Sequence, residues 1–249
     1  MNEQPTHLDL FSGIGGFALA AGWAGFKTIG FCEIEPYCQA ILKKHWPQVP
    51  IHTDIRELRG GGQRIDLLTG GFPCQDISVG NTAGLGIYGK RSGLWVEMCR
   101  IIGETRPKYA LVENSSNLLK RGLGGILWDL AEIGYDAEWN CIPATHFGAH
   151  HGRDRAWVVA YPKCVGWKKG ATIGERIQKQ RTHDKLNNGG SIRNKPADSW
   201  PPEPGVGRVA YGIPNRTHRL KGLGNAIVPQ VAYQIIKGIK EVMEQSDEN

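Results

Sequence analysis

The sequence predicts an α/β protein in which helices cover both faces of a mostly parallel sheet, with a small irregular insert late in the chain. Short apolar runs alternate with helix-like segments through the first 160 residues, and such alternation is typical of a parallel sheet. After Tyr161 the pattern stops, and glycine, asparagine and proline become frequent. A chain of 249 residues is long enough for one large domain with such an insert.

The predicted strands and helices follow one another along the chain. Pro36 suits the first turn of a helix, and Pro107 suits the end of one. Buried strands are predicted, in order, at HLDLF, KTIGFCE, RIDLLTG, KYALVEN and AWVVAY. Helices are predicted between them at GFALAAGWAG, EPYCQAILKKHW, GLWVEMCRIIGETRP and GGILWDLAEIG.

The C-terminal segment NAIVPQVAYQIIKGIKEVMEQ predicts an amphipathic helix that needs a surface to cover. Its apolar residues near helical spacing are Val228, Val231, Ile235, Ile239 and Val242. We expect this helix to pack back on the first domain. The predicted boundaries are 1–160 for the α/β domain, 161–222 for the insert and 223–249 for the C-terminal helix.

Composition narrows the class of protein. No apolar run is long enough to span a membrane and the N-terminal stretch lacks a signal-peptide pattern, so we expect a cytoplasmic protein. We also expect a monomer. The six cysteines are scattered and none forms a C-x-x-C pair, which predicts neither a metal site nor a disulfide framework.

The positive charge is concentrated in one stretch. From Tyr161 to Leu223 there are 13 lysines and arginines against 4 aspartates and glutamates, a balance of +9, while the remainder of the chain carries −3. A basic stretch on a mildly acidic body is an electrostatic footprint for a polyanion such as nucleic acid. The alternative is a solvated loop whose charges only keep the chain in solution.

The segment LDLFSGIGGFALAAG reads as a strand, a tight glycine turn and a helix. Gly13, Gly15 and Ala18 satisfy G-x-G-x-x-G/A, and Glu33 follows about 20 residues on, at the end of the next strand. Glycines let a ligand approach the backbone, and the acidic residue can bind the two hydroxyls of a ribose. The pattern fits a dinucleotide or S-adenosylmethionine and does not separate them. A plain tight turn remains the alternative.

Three further polar sites fall at the predicted strand ends. Cys74 follows RIDLLTG, Glu113 ends KYALVEN, and Arg153 and Arg155 precede AWVVAY. Ligands of open α/β sheets bind beyond the carboxyl ends of the strands, so we expect Cys74 and Glu113 to face one crevice. Each residue alone has an ordinary structural reading: a small core thiol, a helix cap or a salt bridge. Their joint occurrence with the glycine turn favours a catalytic site.

These motifs resemble those of the C5-cytosine DNA methyltransferases, of the small type often carried by bacterial viruses. The matching stretches, in family order, are LDLFSGIGGFALA, GGFPCQDIS, LVEN, FGAHHGRDRAWVVA and RLKGLGNAIVPQVAYQI. The resemblance implies a Rossmann-like S-adenosylmethionine-dependent methyltransferase fold. It also implies an enzyme that methylates double-stranded DNA in a bacterial cell, as in restriction–modification. The sequence departs from the family's usual pattern at Ser115, where valine is usual, and at His151, where glutamine is common.

The resemblance implies a role for each matching residue. Glu33 would hold the cofactor ribose, Ile34 would pack on the adenine, and Asp54 would contact the adenine amino group. The other residues implied at the cofactor are Asp9, Phe11, Gly13, Gly15, Gly16, Ile55, Pro73 and Asn225. The residues implied in catalysis are Cys74, Glu113, Arg153 and Arg155. Those implied at the DNA are Gln75, Ser78, Lys90 and Arg91, with the insert as the target-recognition domain.

The implied chemistry is methylation of a cytosine flipped out of the duplex. A Cys74 thiolate adding at C6 makes C5 nucleophilic, and a protonated Glu113 assists at N3. Two alternatives remain. A nicotinamide-dependent oxidoreductase satisfies the glycine turn but gives no role to Cys74 and the basic insert. A catalytically silent DNA-binding specificity partner would not need the Cys74, Glu113 and Arg155 set.

Overall fold

The computed structural model describes residues 3–73, 93–149, 152–163 and 216–247. Within these residues seven strands form one sheet in the order β3-β2-β1-β4-β5-β7-β6. The strands are β1 (Thr6–Leu10), β2 (Lys27–Cys32), β3 (Ile51–His52), β4 (Leu67–Gly70), β5 (Tyr109–Ser115), β6 (Tyr135–Pro143) and β7 (Asp154–Pro162). Strands β1 to β5 pair in parallel, whereas β7 runs antiparallel to both of its neighbours, β5 and β6.

Helices connect the strands and cover the sheet. They are α1 (Gly16–Trp23), α2 (Pro36–His45), α3 (Gly93–Thr105), α4 (Leu118–Arg121), α5 (Leu123–Glu132), α6 (Arg216–Asn225) and α7 (Pro229–Asp247), with one 3₁₀ turn at Ala144–Phe147. Pro36 is the first residue of α2, where its missing N–H has no intrahelical acceptor to lose. None of the described helices is long and apolar enough to cross a membrane.

Two apolar clusters lie on opposite faces of the sheet. Side chains of β5 alternate between them: Ala110 and Val112 pack with α3 and α5, whereas Tyr109 and Leu111 pack with α1 and α7. This two-sided burial explains why the central strands read as nearly continuous apolar runs rather than alternating ones. The predicted fold class, a mostly parallel sheet with helices on both faces, is confirmed.

The amphipathic C-terminal helix lies on the α1 face of the sheet. Val231, Ile235 and Ile239 of α7 are buried against Ala20 and Ala21 of α1. Small residues on α1 let the two helices approach closely. The basic insert falls largely on residues 164–215, which lie outside the described ranges, so its boundaries stay a prediction.

Candidate active site

A cavity of about 600 Å³ lies at the edge of the sheet where the parallel strands end. Its wall brings together residues that are far apart in the sequence, from the glycine turn after β1 to the end of α6. Eleven of the predicted site residues line it: Phe11, Gly13, Glu33, Ile34, Asp54, Ile55, Pro73, Glu113, Arg153, Arg155 and Asn225. The position agrees with the rule that open α/β sheets bind ligands at the carboxyl ends of their strands.

The glycine turn after β1 is held in an unusual backbone conformation. Phe11, Gly13 and Gly15 have positive φ angles of 52°, 54° and 87°. Glycine adopts this region without strain, whereas Phe11 needs its surroundings to hold it there. Ser12 supplies that support, because its N–H donates to Cys32 O at 3.1 Å and its hydroxyl donates to Asp9 O at 2.7 Å.

Glu33, the residue directly after β2, is hydrogen-bonded to this turn. Its carboxylate accepts hydrogen bonds from the backbone N–H of Gly13 at 2.6 Å and from that of Glu35 at 2.8 Å. Each carboxylate oxygen can accept more than one hydrogen bond, so these contacts orient the group without exhausting its acceptors. The neighbouring Ile34 side chain is 58% exposed on the cavity wall, which leaves an apolar surface beside a fixed carboxylate.

Asp54 lies further along the same wall and is paired with Arg56. The Arg56 Nε donates to both carboxylate oxygens at 2.9 and 3.0 Å, and the Arg56 backbone N–H donates at 2.9 Å. These hydrogen bonds lower the pKa of Asp54 to about 2. At neutral pH Asp54 is therefore an anion that can only accept hydrogen bonds.

Glu113 occupies the opposite end of the cavity and is almost fully buried. Its Oε1 lies 2.9 Å from Arg155 Nε. Burial raises the pKa of Glu113, and the nearby Arg155 and Arg153 cations oppose that rise without cancelling it. The carboxyl therefore retains its proton to higher pH than an exposed glutamate does.

The two arginines reach Glu113 because β7 is antiparallel. The start of β7 lies beside the end of β5, with Ser115 opposite Arg155 and Glu113 opposite Trp157. Arg153 precedes the strand with a positive φ of 28°, and its Nη2 donates to Ala226 O at 2.7 Å. That bond ties the arginine pair to the segment between α6 and α7.

Asn114 holds the segment that leads to Cys74. Its Nδ2 donates to Phe72 O at 3.0 Å, and the side chain is buried. The first described range ends one residue later, at Pro73, which lines the cavity. Five predicted site residues lie outside the described ranges: Cys74, Gln75, Ser78, Lys90 and Arg91.

Three predicted cofactor contacts do not line the cavity. Asp9 is fully buried beside α1, its Oδ1 accepts from Thr69 at 2.9 Å, and burial raises its pKa to about 8. A Cβ atom at Gly15 would lie 2.6 Å from the Trp46 ring, and one at Gly16 would lie 2.7 Å from Ile227. In the structure these three residues pack around the turn, and their placement at the cofactor stays a prediction.

The cavity also contains residues that the sequence did not single out. Lys221 of α6 pairs with Glu35 at 2.5 Å, which closes one side of the wall. The RLKGLGNAIV motif was the only sequence signal near Lys221, and no signal pointed to Arg56. Other lining residues to which the sequence assigned no role include Tyr37, Phe72, Leu94, Asn114 and Ser115. Within the described ranges no group of three or more acidic, histidine or cysteine side chains is arranged to hold a metal ion.

Fold and site together define the class: an α/β protein with a mostly parallel sheet, whose cavity at the carboxyl ends of the strands contains a buried carboxyl, Glu113. Comparison with known families goes further: the family model for C-5 cytosine-specific DNA methylase matches residues 6–204. The chain belongs to this family, which confirms the resemblance seen in the motifs.

Individual relatives agree with the family. The chain is 35% identical over 161 residues to type II methyltransferase M2.BsuMI of Bacillus subtilis, covering 61% of this chain and 41% of that protein. It is 33% identical over 160 residues to M.CviJI of Paramecium bursaria Chlorella virus IL3A, covering 63% and 43%. The chain therefore spans less than half the length of these curated relatives.

A solved structure matches over nearly the full length of both chains. It is a prophage-encoded E. coli protein assigned as a DNA modification methyltransferase, with a TM-score of 0.66, 17% identity, and coverage of 96% of this chain and 99% of that one. The Dnmt2 methyltransferase of S. pombe matches with a TM-score of 0.61 over 80% of this chain and 60% of that one, at 19% identity. At these identities the likeness shows the Rossmann-like fold alone.

Proposed function

We propose that this chain is a DNA (cytosine-5)-methyltransferase that uses S-adenosylmethionine and acts on double-stranded DNA in a bacterial cell. The observation that carries the proposal is the pairing of buried Glu113 with Arg155 in the same cavity as the anchored Glu33 carboxylate. One end of the cavity suits a nucleoside and the other suits a neutral heterocycle. Family membership supplies the reaction that joins them.

The first end of the cavity fits the cofactor. Glu33 presents fixed acceptors for two ribose hydroxyls, Ile34 presents an apolar surface for adenine, and anionic Asp54 can accept from its amino group. A dinucleotide site uses a similar acidic residue, but the oxidoreductase alternative gives no role to buried Glu113 paired with Arg155. S-adenosylmethionine supplies an activated methyl group when bound.

The second end of the cavity suits a flipped cytosine. A protonated Glu113 donates to N3, and Arg155 donates to O2. The Cys74 thiolate then forms a bond to C6, and the electron pair moves toward C5 as N3 gains the proton. C5 then takes the methyl group from S-adenosylmethionine, which leaves as S-adenosylhomocysteine. A base removes the C5 proton, the C5–H electrons form the C5–C6 double bond, the Cys74 thiolate leaves C6, and N3 returns its proton to Glu113.

We further propose that the remaining DNA contacts come from segments outside the described ranges. Gln75 and Ser78 follow the nucleophile, and Lys90 and Arg91 lie in the glycine-rich stretch VGNTAGLGIYGKRSG, which suits a lid over the flipped base. The basic insert supplies target recognition.

The test of this function is covalent trapping. If Cys74 adds to C6, the adduct resolves only by loss of the hydrogen at C5, and fluorine cannot leave as a cation. Random-sequence duplexes containing 5-fluorocytosine should therefore trap the chain in the presence of S-adenosylmethionine. The trapped species should survive denaturing electrophoresis, and its DNA should map to the peptide that contains Cys74.

A Cys74→Ser variant is the matched control, because a neutral hydroxyl is a much weaker nucleophile than a thiolate at neutral pH. It should bind DNA, form no adduct and transfer no labelled methyl group to ordinary DNA. A parent chain that binds DNA but transfers no label would instead be the silent specificity partner. Full activity of Cys74→Ser would overturn the assignment of the nucleophile.

A further inference from the structure

Arg100 on α3 makes an unusual number of contacts with the wall of the cofactor end. Its Nη2 donates to Ile55 O at 2.9 Å, and its Nη1 donates to Leu58 O at 3.1 Å. The same guanidinium pairs with Glu97 and Glu104 of its own helix, both at 2.7 Å. No motif in the sequence marks this residue, and it does not line the cavity.

The two carbonyl oxygens belong to a turn that forms part of the cavity wall. This turn, residues 54–58, is closed by bonds from the N–H groups of Glu57 and Leu58 to Asp54 O at 3.1 and 3.2 Å. As at the end of a helix, its last carbonyls have no donor within the turn. Arg100 supplies the donor to Ile55 O and shares Leu58 O with Arg59, whose Nη1 donates to it at 2.9 Å.

A second contact fastens the same region to α3. Glu104 accepts from the Gly60 N–H at 2.8 Å, and a Cβ at Gly60 would lie 3.0 Å from the Glu104 Cβ. The backbone after the turn thus packs directly on α3. The two glutamates hold the guanidinium plane in place, so that its remaining N–H groups point at the carbonyls.

The position of the turn matters because three of its residues line the cavity. Asp54, Ile55 and Arg56 line the cavity on this side. Ile55 is also buried in the core, so a shift of its backbone would move the neighbouring Asp54 carboxylate as well. A misplacement of about 1 Å in a binding group can cost up to a hundredfold in function.

We propose that Arg100 is a positioning residue for the adenosine end of the cofactor site, acting through the 54–58 turn. It contacts no ligand. It holds the backbone of the turn at a set position relative to α3, and through the turn it sets the position of the Asp54 carboxylate. This inference rests on the proposed use of S-adenosylmethionine. Because α3 begins at Gly93, Arg100 also joins the first described helix after Cys74 to the cofactor end of the cavity.

The test measures ligand affinity by calorimetry for the parent, Arg100→Lys and Arg100→Met. The ligands are S-adenosylhomocysteine and 5′-methylthioadenosine, which lacks the amino-acid part. We expect both variants to lose about tenfold or more in affinity, because lysine has no planar fork to bind two carbonyls and two carboxylates together. The loss should be equal for both ligands, since it arises at the adenosine end.

Arg64→Met is the matched control. Arg64 also pairs with a carboxylate, Asp66 at 2.8 Å, but just before β4 and away from the cavity. It should lower the melting temperature, as the Arg100 variants do, yet change affinity by less than about twofold. In steady-state assays the Arg100 variants should raise the KM for S-adenosylmethionine and keep kcat at saturating cofactor.

Each outcome has one reading. A parent that binds neither ligand contradicts the proposed function itself. A parent that binds both, with Arg100 variants that are less stable but bind equally well, makes Arg100 a purely structural residue and overturns the inference. A loss confined to S-adenosylhomocysteine would place the effect at the amino-acid end and would also overturn it.

Discussion

The chemistry of Glu113 depends strongly on its surroundings. Burial disfavours its charged form, while Arg155 at 2.9 Å favours it. The net direction is a raised pKa, so the fold holds a carboxyl that can still donate a proton. An exposed glutamate in the same motif would lose its proton at lower pH than Glu113 does.

Replacing Glu113 with glutamine should slow the covalent step without removing DNA binding. The amide keeps the shape and can donate a hydrogen bond, but it cannot deliver a proton. We expect adduct formation with 5-fluorocytosine duplexes to slow by about 100-fold, within the usual range for loss of a general acid. Quenched time courses on denaturing gels measure this rate, and unchanged kinetics would exclude Glu113 as the acid.

The same variant should change how stability depends on pH. A carboxyl with a raised folded-state pKa binds more protons in the native state than in the unfolded state, so it makes the parent less stable as pH rises above about 4.3. Glu113→Gln lacks this loss. Urea unfolding at pH 5 and pH 8 measures the free energy of unfolding of both proteins. The difference, variant minus parent, should be more positive at pH 8 than at pH 5.

Glu33 combines a structural and a ligand role. Glu33→Ala leaves the Gly13 and Glu35 N–H groups without their acceptor and removes the proposed ribose contact. We expect S-adenosylhomocysteine affinity to fall by about tenfold or more, because hydrogen bonds to charged groups contribute about 1.5–3 kcal/mol. Circular dichroism verifies folding, and calorimetry measures affinity; equal affinity in a folded variant would remove Glu33 from the site.

At the scale of elements, α7 is the helix whose role was easiest to predict and is easiest to test. Ile239 is fully buried against the α1 face, whereas Leu223 on α6 is 65% exposed. Ile239→Ala should lower the free energy of unfolding by about 2–5 kcal/mol, and Leu223→Ala should change it by less than about 0.5 kcal/mol. Similar losses at both positions would contradict the packing described for α7.

The elements also show which features the sequence could predict. The strands β1, β2, β4, β5 and β7 carry apolar runs because both of their faces are buried, and all were predicted. Strand β6 was not, because only Tyr135 and Ile142 of its nine residues are buried. A strand with so few buried residues shows no clear hydrophobic periodicity in its sequence.

Strand direction and backbone contacts lie beyond local patterns. The residues of β7 fit a parallel or an antiparallel strand equally well, and only its pairing with β5 sets the direction. The motifs still predicted that Arg155 would lie near Glu113. Arg100 could not be predicted, since its partners are carbonyl oxygens, which every residue possesses. Asp9 lies in the motif but not on the cavity wall, because motif position alone does not distinguish a buried carboxyl from a cavity-lining one.

At the scale of the whole molecule, charge is divided between two parts of the chain. The stretch 161–223 carries a balance of +9 and the remainder −3. The cavity itself adds no large net charge, because its lining contains as many acidic as basic side chains: Glu33, Glu35, Asp54 and Glu113 with Arg56, Arg153, Arg155 and Lys221. If the chain binds DNA as proposed, we expect its attraction for the DNA backbone to come chiefly from the basic stretch.

This division predicts how binding should respond to salt. Each phosphate neutralised on duplex DNA releases about 0.9 counterions, so the slope of log affinity against log salt counts the contacts. Replacing the lysines and arginines of 164–215 with glutamine should reduce the slope by several units. The same number of replacements at exposed lysines of the α/β domain, such as Lys43 and Lys44, and at its exposed arginines should change it far less. Fluorescence anisotropy with a labelled duplex at several salt concentrations measures both slopes. An unchanged slope in a folded glutamine variant that retains cofactor binding would mean that the stretch only keeps the chain in solution, and that the α/β domain binds the phosphates itself.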